Sequence, residues 1–171
     1  MKKVILKKIN SKNISSDYIR WMNDWEIIKY TEQRYAKTYK KDILKYLNEI
    51  NKSKENFIFG IFIKNNNKYI HVGNIKLGSI DFNHKRADIS YFVGEKKFQR
   101  RGIAKKAISE IILIAKKKFN LKKINAGVYS QNKASIKVLK SNGFKREATL
   151  KSHIIFNSKR YNSYIYGYVI K

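Results

Sequence analysis

The 171-residue sequence has no cysteine and no proline, and only 12 acidic residues against 39 lysines and arginines. Its longest uninterrupted apolar run is Ile111-Ile112-Leu113-Ile114-Ala115. Without cysteine there is no disulfide framework, no thiolate metal site and no cysteine nucleophile. An apolar run that short falls far below the roughly 20 residues that span a bilayer. The beginning, Met1-Lys2-Lys3-Val4-Ile5-Leu6-Lys7-Lys8, is basic but has no long apolar core and no small-residue cleavage site. No signal peptide is expected, and a soluble, reducing, cytoplasmic setting is. What is present argues for order: hydrophobic residues make up 43% and aromatics 13%. A chain of this length buries roughly 70% of its unfolded surface as one domain.

The formal net charge of +27 invites a nucleic-acid reading, because cationic surfaces release phosphate counterions on binding. The excess is nearly all lysine, with arginine only at 20, 34, 86, 100, 101, 146 and 160. Phosphate and base recognition favour arginine's planar fork. Lysine is enriched together with Ile and Asn, which an AT-rich coding sequence accounts for. The basic residues form no arm or tail, so a nucleic-acid partner is not expected. A diffuse field still raises the local concentration of an anionic ligand.

No linker, repeat or composition shift divides residues 1–171, which read as a single domain. Strand character at 3–9 is followed by Ser15-Ser16-Asp17-Tyr18-Ile19-Arg20-Trp21-Met22, cap-type residues leading into a short helix. Ile43, Leu44, Leu47 and Ile50 recur at helical spacing over about 40–52. Strands are predicted at 57–63 and 69–80, joined by a turn at 64–68, with a third at 87–93. A long amphipathic helix at 102–119, a strand at 122–129, a helix at 132–141 and strands near 144–155 and 160–170 complete the chain. This is a mixed α/β order whose central strand–helix–strand segment can splay two neighbouring strands, and ligands favour such gaps.

The most informative stretch is Val93-Gly94-Glu95-Lys96-Lys97-Phe98-Gln99-Arg100-Arg101-Gly102-Ile103-Ala104. A strand ends, a basic loop follows, and a glycine opens a helix whose free first-turn N–H groups bind anions. Gly102 and Ala104 leave the approach open, and Arg100 and Arg101 add charge, which points to a diphosphate-type anion. Some thirty residues on, Asn132 is placed to cap the next helix while facing a ligand, and Gly143 ends that helix before Phe144.

In this order and spacing, Gln99-x-x-Gly102-x-Ala104, then Asn132, Ser135 and Gly143-Phe144, resemble the GNAT superfamily of acetyl-CoA-dependent N-acetyltransferases. Ala87-Asp88-Ile89-Ser90-Tyr91-Phe92-Val93 is similar to its central strand, and Tyr161-Asn162-Ser163-Tyr164-Ile165-Tyr166 looks like the last strand of its RimJ/RimL-type branch. The resemblance covers about 57–170. It implies an α/β GNAT fold, a mostly antiparallel sheet of about seven strands flanked by four helices and splayed at the acetyl-CoA site. It further implies that the pyrophosphate of acetyl-CoA rests on the amides of Arg101, Gly102, Ile103 and Ala104, beside Gln99 and Arg100. Its pantetheine arm would pair with the strand edge near Phe92 and Val93 and bond to Asn132; no metal is implied.

Such enzymes transfer acetyl directly to an amine that has lost its proton, and the absence of cysteine suits that route. Many members carry a tyrosine acid where this chain has Leu139, so Ser135 is the candidate acid or hydrogen-bond donor to the leaving thiolate. Candidates for the base are Glu32, in the polar cluster Tyr30-Thr31-Glu32-Gln33-Arg34, then Asp88, then His71 and His84. A water chain without a dedicated base stays open. The stretch 21–34 resembles members that acetylate nucleotide-linked amino sugars, with Arg34 and a basic cleft suited to a diphosphate. Trp21, Trp25, Tyr30 or Tyr35 would stack on base or sugar, though Trp21 and Trp25, four apart, also suit plain packing of a helix end. Protein N-terminal acetylation of RimJ/RimL type is the alternative acceptor, and a non-enzymatic nucleic-acid-binding domain the alternative class. Polyamine acceptors are disfavoured by the positive charge. Sheet-edge pairing through the Tyr-rich strand at 161–168 would allow a homodimer.

Overall fold

The computed structural model describes residues 3–11, 14–65 and 68–171. Seven strands form one sheet: β1 (Val4–Lys8), β2 (Phe57–Asn65), β3 (Lys68–Leu77), β4 (Arg86–Val93), β5 (Lys123–Tyr129), β6 (Lys145–Phe156) and β7 (Lys159–Val169), in the order β1-β2-β3-β4-β5-β7-β6. All neighbours are antiparallel except β4 and β5. The four expected helices are present as α1 (Ser16–Trp21), α3 (Lys40–Lys52), α4 (Ile103–Phe119) and α5 (Lys133–Ser141). A fifth, α2 (Trp25–Ile28), is a single turn capped by Asp24, whose carboxylate accepts from Glu26 N at 3.1 Å. A stretch this short carries no helical period, which is why the pattern of apolar residues does not announce it. The turn expected at 64–68 falls partly on Asn66 and Asn67, outside the described residues.

Strand alternation builds two cores. In β2, Phe59, Ile61 and Ile63 face α4, whose Ile103, Ala107, Ile108, Ile111 and Ala115 form one buried stripe. Ile58 faces the opposite way and joins Tyr18, Trp21, Ile43, Leu47 and Ile50 from α1 and α3. Replacing a residue such as Ile111 by alanine should cost about 2–5 kcal/mol. β7 lies between β5 and β6, so its edges are both taken and the Tyr-rich strand offers no free edge for self-association. The free edge on that side belongs to β6.

Candidate active site

β4 and β5 are paired only at Arg86↔Lys123, Ala87↔Ile124 and Asp88↔Asn125. Beyond Asp88 the strands part: β4 continues on β3 and β5 continues on β7. The backbone shows which groups face the gap. Gly78 N donates to Asp88 O at 2.9 Å and Gly94 N to Val72 O at 2.8 Å, so even-numbered residues of β4 bond toward β3. Alternation turns the N–H and C=O groups of Ile89, Tyr91 and Val93 into the gap. Phe92 therefore commits its backbone to β3, and its ring packs near Tyr18 and Trp21 at centroid distances of 6.2 Å.

The open end of the gap meets the basic loop. Gln99 Nε2 donates to Val93 O at 2.8 Å, and buried Phe98 and Ile103 anchor the loop. Arg100 and Gly102 are left-handed, at φ 56° and 73°. A Cβ at Gly102 would meet nothing within 4 Å, so the space before the helix is clear. The first intrahelical bond runs from Lys106 N to Gly102 O at 3.1 Å, leaving the amides of Ile103, Ala104 and Lys105 for an anion. Arg100 and Arg101 are exposed beside them. Gly94 is needed for another reason, since any side chain there would collide with the Trp21 ring, which lies beneath the loop's start. Exposed ion pairs, Arg20 to Glu95 at 3.0 Å and Lys96 to Asp24 at 2.6 Å, tie the loop to α1 and to the cap of α2.

Across the gap, Asn132 caps α5 by accepting from Ser135 N at 3.1 Å. The Ser135 hydroxyl lies 2.7 Å from the Tyr91 hydroxyl, so a side chain from β4 and one from α5 meet where the strands have parted. Burial pushes the Tyr91 hydroxyl up to about 12, with the Ser135 bond opposing, so it stays protonated at neutral pH.

On the α1–α3 side a cavity of about 690 Å³ opens over the gap. Tyr18, Tyr30, Tyr46, Phe92 and Tyr129 give it an aromatic wall, and Ser90, Gly127 and His153 lie on its strand side. A Cβ on Gly127 would meet nothing within 4 Å, so this residue leaves depth beneath whatever enters. At the wall, the Tyr129 hydroxyl donates to the Glu32 carboxylate and accepts from Arg34 Nη1 at 3.0 Å. Burial and the bond to Glu32 both raise the Tyr129 hydroxyl above its ordinary range, with Arg34 opposing, so it remains a donor.

The structure thus brings together Glu32, Tyr30 and Arg34 around Tyr129, and Gln99 to Ala104 around one helix terminus. Asn132 and Ser135 lie on the far side of the gap. Asp88 sits at the closed end of the splay, exposed and outside the cavity lining. Trp21 is fully buried, edge-on to His71 and Phe92, and so serves as core rather than as a stacking platform. Trp25 stacks on Phe156 at 6.2 Å. His71 is in mid-β3, stacked on Phe62, with Nε2 2.8 Å from Asn74 Oδ1; burial lowers its pKa. His84 is exposed in the turn before β4, its backbone N–H held by Asp81. Tyr91, Gly127, Tyr129 and His153 are the residues sequence reasoning passed over. For Tyr129 the available signal was its place at the carboxyl end of a strand beside a splay, three residues before Asn132.

A family model described as acetyltransferase (GNAT) domain matches residues 3–145. The chain is 29% identical over 98 residues to a Bacillus subtilis (strain 168) protein named "Uncharacterized N-acetyltransferase YoaA". That match covers 57% of this chain and 55% of the relative's own length. The fold is similar to that of spermidine N-acetyltransferase from Vibrio cholerae in complex with CoA and spermine, at TM-score 0.86 and 16% identity over 98% of this chain and 95% of that one. It is also similar to that of the microcin C7 self-immunity acetyltransferase MccE in complex with acetyl-CoA and AMP, at TM-score 0.82 and 24% identity over 98% and 93% of the two chains.

Proposed function

The chain belongs to the acetyltransferase (GNAT) domain family, and from that premise we propose that it moves an acetyl group from acetyl-CoA directly to a primary amine. One observation carries the reading: a helix-terminus anion site and an aromatic cavity open onto the same splay between β4 and β5. The residues fit the donor. Open space at Gly102, free amides at the start of α4 and flanking arginines suit a pyrophosphate. The gap-facing backbone of Tyr91 and Val93 suits an extended arm carrying amide groups, with Asn132 opposite.

Bound acetyl-CoA supplies an acetyl group activated as a thioester. Glu32, held by Tyr129, takes the proton from the entering ammonium, directly or through water. The N–H groups of β4 that face the gap are the donors for the carbonyl oxygen as charge develops on it. As the carbon–sulfur bond breaks, the Ser135–Tyr91 pair donates a hydrogen bond to the sulfur. Full proton transfer from this pair is not required. The Tyr91 pKa lies several units above the roughly 8.5 of a free thiol, so the thiolate leaves stabilised and is protonated by solvent.

For the acceptor we favour the amine of a nucleotide-linked amino sugar. The cavity has the size of a small-molecule site, within the roughly 300–1,000 Å³ range, and is rich in rings. Glu32 and Asp42 are the acidic residues of its lining, which also includes Lys76 and His153, and this is not the run of carboxylates a polyamine needs. Protein N-terminal acetylation remains the second reading. Among the described residues no helix is long and apolar enough to cross a membrane. The reaction is assigned to the cytoplasm, where acetyl-CoA is available, and the exposed β6 edge would be the route to a homodimer.

The test is release of free CoA thiol from acetyl-CoA against a panel of UDP-linked amino sugars, N-terminal peptides and polyamines, with a melting shift by acetyl-CoA as the binding control. If acetyl-CoA neither binds nor shifts melting, the transfer reading fails and a nucleic-acid-binding domain replaces it. Turnover of peptides alone would move the acceptor to protein N-termini.

A further inference from the structure

A second cavity, of about 410 Å³, shares Glu32, Tyr129, His153 and Ile154 with the first, and adds Arg34, Tyr35, Ile155 and Arg160. The two spaces are therefore neighbours across one wall, and the Glu32–Tyr129 bond is part of that wall. The outer space differs in chemistry. It holds two guanidinium groups, and neither Arg34 nor Arg160 takes part in an ion pair among the described residues. Glu32, the carboxylate in its lining, is already engaged by Tyr129. Arg34 is fixed by neutral oxygens: Thr31 O at 3.1 Å, Tyr129 Oη at 3.0 Å and Ile155 O at 3.2 Å, with the Tyr35 ring 4.3 Å beneath it. It therefore forms no direct ion pair, and the Glu32 carboxylate reaches it only through the shared Tyr129 hydroxyl. Arg160 commits one Nη to Ser152 O at 3.0 Å and keeps its other N–H groups for a ligand. Tyr35 is 67% exposed and offers a free ring face at the same rim.

We propose that this outer chamber is the phosphate subsite of the acceptor, binding a phosphate or diphosphate through Arg160 while Arg34 supplies a fixed positive field. The acceptor class is then an amine joined to a phosphate, its amine inside the large cavity at Glu32 and its phosphate outside the Tyr129 wall. Charge-assisted bonds to a phosphate oxygen are the strong kind, and a guanidinium presents them in the geometry an oxyanion needs. The inference rests on the transfer reading for the identity of the amine, but the subsite can be measured without turnover.

The experiment uses the full chain saturated with CoA and titrates UDP by calorimetry, in the wild type and in Arg160→Gln. The expected result is UDP binding that weakens about tenfold or more in Arg160→Gln, with CoA affinity unchanged. In turnover, Arg160→Gln should raise KM for a UDP-linked amino sugar and for an amino-sugar 1-phosphate by a similar factor. It should leave kcat, and the KM for the same amino sugar without phosphate, within about twofold. A larger effect on the UDP-linked substrate assigns the diphosphate, and an equal effect assigns a single phosphate. Absent UDP binding, equal UDP affinity in the two proteins, or equal KM changes for charged and uncharged sugars would overturn the subsite. So would a preference for acidic N-terminal peptides over every phosphorylated amine. Failure to acetylate any amine would sink the transfer reading while leaving the calorimetric result to judge the chamber.

Discussion

The two sides of the splay are built from different materials. The side at Gly102 is made of backbone: left-handed turns at Arg100 and Gly102, followed by helix amides with no intrahelical acceptor. The side at Glu32 is made of side chains drawn from separate stretches of chain, with Glu32, Tyr129 and His153 contributed from positions over a hundred residues apart at the extremes. A backbone site asks the sequence chiefly for absence, a residue without a side chain at one point, and tolerates what surrounds it. A side-chain site asks for particular groups whose partnership exists only after folding. On the proposed reading, the first suits a donor with a fixed chemical handle, and the second would set which amine is accepted.

The sharpest way to break this contrast is at Gly102. Gly102→Glu adds a side chain, a negative charge and left-handed strain at once, and should weaken acetyl-CoA by about 100-fold or more in a calorimetric titration. Gly102→Ala separates the contributions. Its Cβ has space and it brings no charge, so it carries only the strain and should lose about tenfold or less. If the glutamate variant binds acetyl-CoA normally, the anion site lies elsewhere.

The acceptor side should fail differently. Glu32→Gln keeps the shape of the wall but removes the proton acceptor, and should lower kcat/KM for the amine by about 100-fold with acetyl-CoA affinity intact. Tyr129→Phe removes the hydroxyl that holds the carboxylate and should cost about tenfold, mainly in kcat. Gly127→Leu fills the depth of the cavity, raising KM for a bulky amino sugar about tenfold with little effect on donor binding. Equal losses of donor affinity in these variants would erase the distinction between the two sides.

The same distinction explains what was legible in advance. The seven strands and the long helices were readable because β2 is a run of β-forming residues and α3 and α4 carry clean helical periods, and the donor loop because Gln99, Gly102 and Ala104 stand at fixed offsets. The phenol–carboxylate pair was not, because nothing in the local sequence around Tyr129 refers to Glu32, nor around Tyr91 to Ser135. Trp21 shows the converse: of its two readings, stacking on a ligand and packing a helix end, the fold uses the packing one. An aromatic in a polar-looking segment suggested a ligand platform, whereas the absent side chain at Gly94 had made room for its ring. Arg34 carries an evident charge, yet its bond to Ile155 O and the approach of Arg160 from β7 depend on the hairpin of β6 and β7 meeting the segment at 32–35.

At the junction of the two sides, Ser135→Ala tests a smaller claim. If the Ser135–Tyr91 pair only donates a hydrogen bond to the leaving sulfur, kcat should fall about three- to tenfold, with no new acidic or basic limb in the pH profile. A loss near 1,000-fold would make Ser135 a true acid and overturn the argument from the high Tyr91 pKa.

The smallest expected effect concerns His71, which supports the Gly102 side without touching it. Its ring stacks on Phe62 at 4.9 Å and meets the edge of Trp21 at 5.1 Å, and Trp21 in turn underlies the start of the donor loop. Burial lowers its pKa against the opposing pull of its bond to Asn74, the Gly73 backbone and the charge of Asp17. Above the ordinary histidine value of roughly 6.5 the ring is neutral in both folded and unfolded chains, and its contribution is complete. Below that value the unfolded chain takes up a proton that the folded chain resists, so stability falls as pH drops from there toward the depressed folded pKa. Thermal melts between pH 8 and pH 5 should therefore show a steeper acid loss in the wild type than in His71→Gln. The variant melts lower at pH 8 because it forfeits the ring contacts. The other titrating groups are common to both proteins, so the difference in slope isolates this residue. Parallel slopes would mean that His71 is protonated as easily in the fold as in the unfolded chain, and that the packing under the donor loop is looser than its ring contacts indicate.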